Sequence, residues 1–352
     1  MRRLTLILSD LYVPEDAPRA ASPAAFDLPA LEWLLRFARA PVHCPDWRAW
    51  LATQIGQVAL AQAPVAQVAA HALAEPTSGA WIATPVHLEA RLDHVRLADR
   101  GLLRVGADEG QRWSEAFARD FGPNVRLHPA GERGFLLTGI EAADTRTTDP
   151  ARLLDSDVAA ALPRGADAGG LRRLGAELEM WLHATPLNDE RQRAGQPRIS
   201  AFWLWGGDIP HFGCNNRPGH LNDLTDHPIV TTEMRNVPSL NIHGADPWLA
   251  GLARAAGATA NKHASDLGAI GPDSGHHIVE LSPMSAPRES LLDVESRWFA
   301  PARIALSEGK LASLDIVAND RWFRIGARAG WRWWRGKRGW FESLRRPASS
   351  KA

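Results

Sequence analysis

Residues 171–210 read LRRLGAELEMWLHATPLNDERQRAGQPRISAFWLWGGDIP, and they pass from a helix through a polar loop to a buried strand. Leu171, Leu174, Leu178, Trp181 and Leu182 recur at three- and four-residue spacing, which gives one apolar face of an amphipathic helix with Glu177 and Glu179 off it. His183 to Gly195 breaks that period and supplies donors, acceptors and charge together, as a loop or a short helix start does. Ile199 to Trp205 is β-branched and aromatic, so it reads as a strand. It ends in Gly206 and Gly207, where the backbone can turn tightly or let a ligand approach. Polar loop, buried strand and glycine turn form the edge of a candidate site.

Through Glu177, Met180, Leu182, His183, Pro186, Asn188, Glu190, Arg191, Gly195, Trp203, Trp205, Gly206 and Gly207 the chain resembles the RpfE-type bacterial regulatory proteins. The resemblance extends to the N-terminal LTLILSDL, to TPVHLEARLDHVRL at 84–97 and to the Trp/Arg-rich C-terminus, and so covers most of the chain. The same loop and strand are more distantly similar to the archaeal-type cofactor-independent phosphoglycerate mutases of the alkaline-phosphatase superfamily. That likeness implies an α/β fold, with a phosphatase- or mutase-like sheet domain split by an α+β insertion. In that superfamily an Asp at the end of the first strand holds a metal ion, a role that would carry over to Asp10.

At 352 residues the chain exceeds the usual size of one core, so a large α/β domain with an insertion, or two domains, is expected. Lys+Arg and Asp+Glu both number 40, and this balance argues against a general polyanion binder. Cys44 and Cys214 are the two cysteines, too few for a disulfide framework or a thiolate cluster. The apolar run Leu4 to Leu8 is too short for a signal-peptide core or a membrane span, so a cytoplasmic location is expected.

That run, Leu4-Thr5-Leu6-Ile7-Leu8, suits a central parallel strand, with Ser9-Asp10 at its carboxyl end, where open α/β sheets bind ligands. Read from the residues alone, Asp10 fits better as a capping or surface carboxylate, since strand-end carboxylates commonly cap the next element. A short helix follows at 28–40, and 41–75 is Ala-rich and helical, its alanines pointing to close helix packing. Trp81 to Leu88 is a strand. Val95–Leu97 and Leu102–Val105 read as an antiparallel pair turned at 98–101, then 108–120 as a helix, and 125–127 with 134–138 as a hairpin. The pattern divides the chain into a split α/β core at 1–79 and 208–325, an α+β insertion at 80–207, and a strand with a basic tail at 326–352.

Further clusters invite chemistry. His87 and His94 lie seven apart, which matches no metal motif. His211, Cys214 and His220 admit zinc, or an exposed loop rich in Asn and Asp. Asp273 to His277 resembles a metal-binding Asp and His pair, but it precedes the strand 278–281 instead of following it. Trp331, Trp333, Trp334 and Trp340 interleaved with arginines admit a polyanion or membrane surface, or a packed terminal strand with arginines outward.

The expected function is that of an RpfE-type regulatory protein, a degenerate mutase-like chain that binds a small phosphorylated or carboxylated ligand. Arg191 would fork the anion, His183 and Asn188 would orient it, and Trp205, Gly206 and Gly207 would border it. Structural roles compete for the same residues: Asn188 as a cap, Arg191 in an ion pair, the tryptophans in a core. No cofactor is expected, unless the chain is an active mutase or phosphatase using Mn²⁺ or Mg²⁺ through Asp10. A regulatory protein partner fits this reading, and an adaptor binding nucleic acid or membrane through the tail is the third alternative.

Overall fold

The computed structural model describes residues 2–13, 27–73, 79–142, 144–208, 239–261, 264–271, 274–285, 290–327, 335–336 and 339–345. The zinc reading of His211, Cys214 and His220, together with Asp273 and the 331–334 strand, falls outside them. In chain order the elements are β1 (Arg2–Leu8), α1 (Pro29–Phe37), β2 (Val42–His43), α2 (Trp47–Gln54), α3 (Val58–Ala61), α4 (Val65–Ala70), β3 (Trp81–Ala90), β4 (Val95–Leu102), α5 (Ala107–Phe121), β5 (Arg126–Pro129) and β6 (Phe135–Thr138). There follow α6 (Ala168–Ala184), α7 (Pro186–Arg193), β7 (Ala201–Trp205), β8 (Leu240–His243), α8 (Pro247–Ala256), β9 (Thr259–Asn261) and β10 (His276–Leu281). The last are α9 (Leu291–Val294), α10 (Ala300–Ser307), β11 (Leu311–Ala318), β12 (Arg321–Gly326) and α11 (Trp340–Arg345). The chain is mixed α/β, and it forms two compact units.

The first unit comprises Met1–Trp50, Glu233–Gly244 and Ala258–Ala352. Its seven strands run in the order β2-β12-β11-β1-β10-β8-β9, with β1 central and parallel to both β10 and β11. The continuous apolar run of β1 follows from cover on both faces, Leu4, Leu6 and Ile7 all being fully buried. Leu4, Leu6 and Leu8 join Val279, Leu281, Leu314 and Ile316 in one core with Leu31 and Leu34 of α1 and Phe299. Between α9 and α10 the helix widens to a π turn over Glu295–Phe299, and the Glu295 carboxylate accepts from the Ala30 and Leu31 N–H groups at 2.5 and 3.1 Å. It thereby caps α1, whose Leu28 has no capping side chain.

The second unit comprises Leu51–Thr232 and Ala245–Gly257. Here β3 is the hub: β6 and β4 pair along one edge, β7 along the other, all antiparallel, and β5 pairs β6. Trp113 and Phe117 of α5, Leu171, Leu178 and Leu182 of α6, and Phe202 and Leu204 of β7 share one core. The alanine-rich α4 finds its partner in α8, where Gly251 lies so close that a Cβ there would stand 1.8 Å from the Val68 carbonyl oxygen. This packing draws residues 51–70 and 247–256 into the second unit, so the compact units divide at other residues than 80 and 207.

The hairpin expected at 98–101 does not form. β4 is one strand from Val95 to Leu102, and the turn falls at 91–94, where the Arg91 N–H donates to the His94 carbonyl at 2.8 Å. Gly101 marks a ladder irregularity instead, since a Cβ there would lie 2.8 Å from the His87 carbonyl oxygen. His276 and His277 belong to β10 itself rather than to a loop before it. At the C-terminus, β12 does not show the expected alternation, because Arg321, Trp322 and Phe323 are buried in succession, and Trp340, Phe341 and Leu344 are buried on the helix α11, where a basic tail was expected. Among the described residues no helix is long and apolar enough to cross a membrane.

Candidate functional site

In the second unit the polar loop is two helices meeting at Thr185, whose extended backbone ends α6 and begins α7 with Pro186 in its first turn. His183 is exposed on the last turn of α6. Asn188 is buried, and its Nδ2 donates to the Leu182 carbonyl at 2.7 Å and to the Ile199 carbonyl at 2.9 Å. Its Oδ1 accepts from the Ile199 N–H at 2.8 Å. Arg191, one helical turn on, is also buried. Its Nε donates to the Pro197 carbonyl at 2.9 Å and its Nη1 to Glu109 of α5, whose carboxylate also accepts from Trp113 Nε1 at 3.2 Å. Asn188 and Arg191 thus tie α6, α5 and the approach to β7 together. Glu109 is the partner that local sequence could not name, because it lies 82 positions away.

The glycine turn is closed by the protein. Trp205 Nε1 donates to Thr84 Oγ1 at 2.9 Å. Gly206, at φ +75°, donates its N–H to Thr147 Oγ1 at 3.1 Å and accepts from the Ala66 N–H at 2.7 Å. A Cβ on Gly207 would stand 2.6 Å from the Trp81 ring. Both glycines admit neighbouring parts of the chain.

Asp10 lies in the first unit, buried at the carboxyl end of β1. Its Oδ1 accepts from the Met284 N–H at 3.3 Å, and its Oδ2 from the Ser285 N–H at 2.8 Å and from the Ser285 hydroxyl. Beside it the Ser9 hydroxyl donates to the Glu280 carboxylate and to the Leu281 carbonyl. Among the described residues no group of three or more His, Cys, Asp and Glu side chains could hold a metal ion.

Toward the other end of the same sheet, register aligns Thr5 with Asp315. Thr5 Oγ1 bonds His276 Nε2 at 2.8 Å, and burial pushes His276 down to about 4. Asp315 accepts from Trp322 Nε1 and Arg324 Nε, both at 2.8 Å. Polar residues in the middle of apolar strands were the available signal for this network. His87 Nδ1 donates to the Arg198 carbonyl at 3.0 Å, while His94 pairs with Asp93, so the two histidines engage different partners.

No family model matches the chain, and no curated protein matches it. Among solved structures, the PH0037 protein of Pyrococcus horikoshii aligns over 92% of this chain and 87% of its own, at 12% identity and a TM-score of 0.44. A cofactor-independent phosphoglycerate mutase of Thermoplasma acidophilum aligns over 93% and 89%, at 15% identity and a TM-score of 0.35. The structural neighbours therefore include a mutase of this kind at low identity, and neither likeness assigns this chain an activity.

Proposed function

We propose that the chain is an RpfE-type regulatory protein with a phosphoglycerate-mutase-like α/β unit, acting by binding and not by turnover. The observation in support is the use made of Asp10. At the point where such sheets bind ligands, its carboxylate accepts from Met284 and Ser285 and so clamps the loop after β10. A Mn²⁺ or Mg²⁺ ion for phosphoryl transfer needs several carboxylates or histidines converging on it. Among the described residues, the Ser9 hydroxyl donates to Glu280, and Asp10 accepts from the Ser285 N–H and hydroxyl.

The ligand in this proposal is a small phosphorylated or carboxylated anion, and a regulatory protein is the further partner. For the loop of His183, Asn188 and Arg191 the geometry sets a condition. With Nε on Pro197 and Nη1 on Glu109, an anion at Arg191 must displace Glu109 or use Nη2. The test is conversion of 3-phosphoglycerate to 2-phosphoglycerate by purified protein with added Mn²⁺ or Mg²⁺, beside Asp10→Ala, with calorimetric titration of the same compound. The proposal expects binding without turnover. Metal-dependent turnover that disappears in Asp10→Ala would overturn it.

A further inference from the structure

We propose that the outer edge of β7 takes up an extended peptide segment of a partner protein as an added strand, a use of the second unit that goes beyond the anion reading. The strand is hydrogen-bonded on one side. The Pro85 carbonyl accepts from the Leu103 N–H at 2.9 Å on the β4 side of β3, so Ile82, Thr84 and Val86 address β7. The register Ile82↔Trp205, Thr84↔Trp203 and Val86↔Ala201 then turns Ala201, Trp203 and Trp205 toward β3. It turns the N–H and C=O groups of Phe202 and Leu204 outward. The next outward residue, Gly206, is satisfied by Thr147 and Ala66. Phe202 and Leu204 have no hydrogen-bond partner for those groups among the described residues, although they are only 3% and 6% exposed. Unpaired main-chain groups at such depth are costly, and one added strand satisfies all of them together.

A cleft of about 200 Å³ runs along Ala201 to Leu204, between α6 on one side and Leu162 and Pro163 on the other. Gly175 and Ala176 line the α6 wall, and a Cβ on Gly175 would meet nothing within 4 Å. Arg172 and Glu179 stand on the same wall, seven residues and so roughly 10 Å apart along the helix, about the length of three to four extended residues. Among the described residues neither makes a hydrogen bond or an ion pair, and desolvation pushes the Glu179 carboxyl above its ordinary range.

These charges give the occupant a direction. Asn188 joins Leu182 to Ile199, so α6 runs opposite to β7, with Glu179 toward the Ala201 end and Arg172 toward the Leu204 end. A segment antiparallel to β7 meets Arg172 first and Glu179 last. It therefore starts with an acidic residue, ends with a basic one and is β-branched or apolar between. The recess of the edge favours a single extended segment over a second copy of this chain, because two recessed strands cannot approach to the ~4.8 Å of a paired sheet.

The test uses the full chain and two blocked, fluorescein-labelled peptides, Gly-Glu-Val-Thr-Val-Lys and its charge-reversed form Gly-Lys-Val-Thr-Val-Glu, followed by anisotropy. The first is expected to bind about tenfold more tightly, a difference of ~1.4 kcal/mol. The double variant Arg172→Glu with Glu179→Arg, at two exposed positions, is expected to invert the preference. N-methylation of one alternate set of peptide nitrogens should abolish binding, and of the other set should leave it. Equal affinity for both peptides, no binding of either, indifference to N-methylation, or a dimer of the chain that excludes the peptide would each overturn the inference.

Discussion

Asn188→Ala separates a structural from a ligand-binding role for the polar loop. Pro186 has no N–H, so the Leu182 carbonyl, four residues earlier, lacks the donor that would continue the helical ladder. Asn188 Nδ2 supplies it at 2.7 Å and reaches the Ile199 carbonyl at 2.9 Å, while Oδ1 takes the Ile199 N–H at 2.8 Å. Truncation leaves three main-chain groups without a partner beside side chains that are 0–1% exposed. Each such group costs ~1–3 kcal/mol, and with water relieving part of this the expected loss is about 3–5 kcal/mol. Equilibrium unfolding in urea, followed by tryptophan fluorescence, should show a lower midpoint at unchanged slope. Asn188→Asp should lose at least as much, since a carboxylate would face two carbonyls. A loss below about 1 kcal/mol in the alanine variant would refute the reasoning, because three buried bonds of this kind cannot be so weak.

Other perturbations follow from the same geometry. Arg191→Met leaves Glu109 without its cation and is expected to cost about 3 kcal/mol, and Glu109→Gln in the same background should recover part of it in a double-mutant cycle read by denaturation. Gly207→Ala should destabilise by ~1–3 kcal/mol through its clash with Trp81, whereas Gly175→Ala, in a helix with open space beside it, should stabilise by about 0.5–1 kcal/mol; melting temperatures of the two should move in opposite directions. His276, held near 4 by burial, stays neutral in the fold while the unfolded chain protonates it from about 6.5 downward. Its contribution is thus present above that pH and is lost as pH falls toward 4. The drop in unfolding free energy between pH 7 and 5 should shrink in His276→Gln, and an unchanged drop would contradict the assignment.

The elements that identify themselves in sequence are those whose environment is uniform along their length. Leu4 to Leu8 lies under cover on both faces, and the stripe from Leu171 to Leu182 meets one core, so composition and period report them directly. What stayed hidden is set by distant partners. The Ala98 to Gly101 stretch has turn residues, yet the close approach of His87 makes Gly101 a bulge glycine within one strand. The alanines of 66–70 announced tight packing but not the partner, Gly251, that moves them into the second unit. For the candidate site, the residue types of Asn188 and Arg191 were legible, but their geometry depends on Ile199 and Glu109. Phe202 and Leu204 gave no sign at all, because which way a strand's main-chain groups point is fixed by its neighbour's register.

The proposal turns on whether Asp10 clamps a loop or holds an ion, and the direct measurement is the unfolding free energy of wild type and Asp10→Ala in a strong chelator. The account predicts that the variant loses about 2–4 kcal/mol without any metal present, the cost of freeing the Met284 and Ser285 donors. It also predicts that added Mn²⁺ leaves the wild-type value where it was. Equal stability of the two proteins in chelator, with wild type alone stabilised by Mn²⁺, would contradict it.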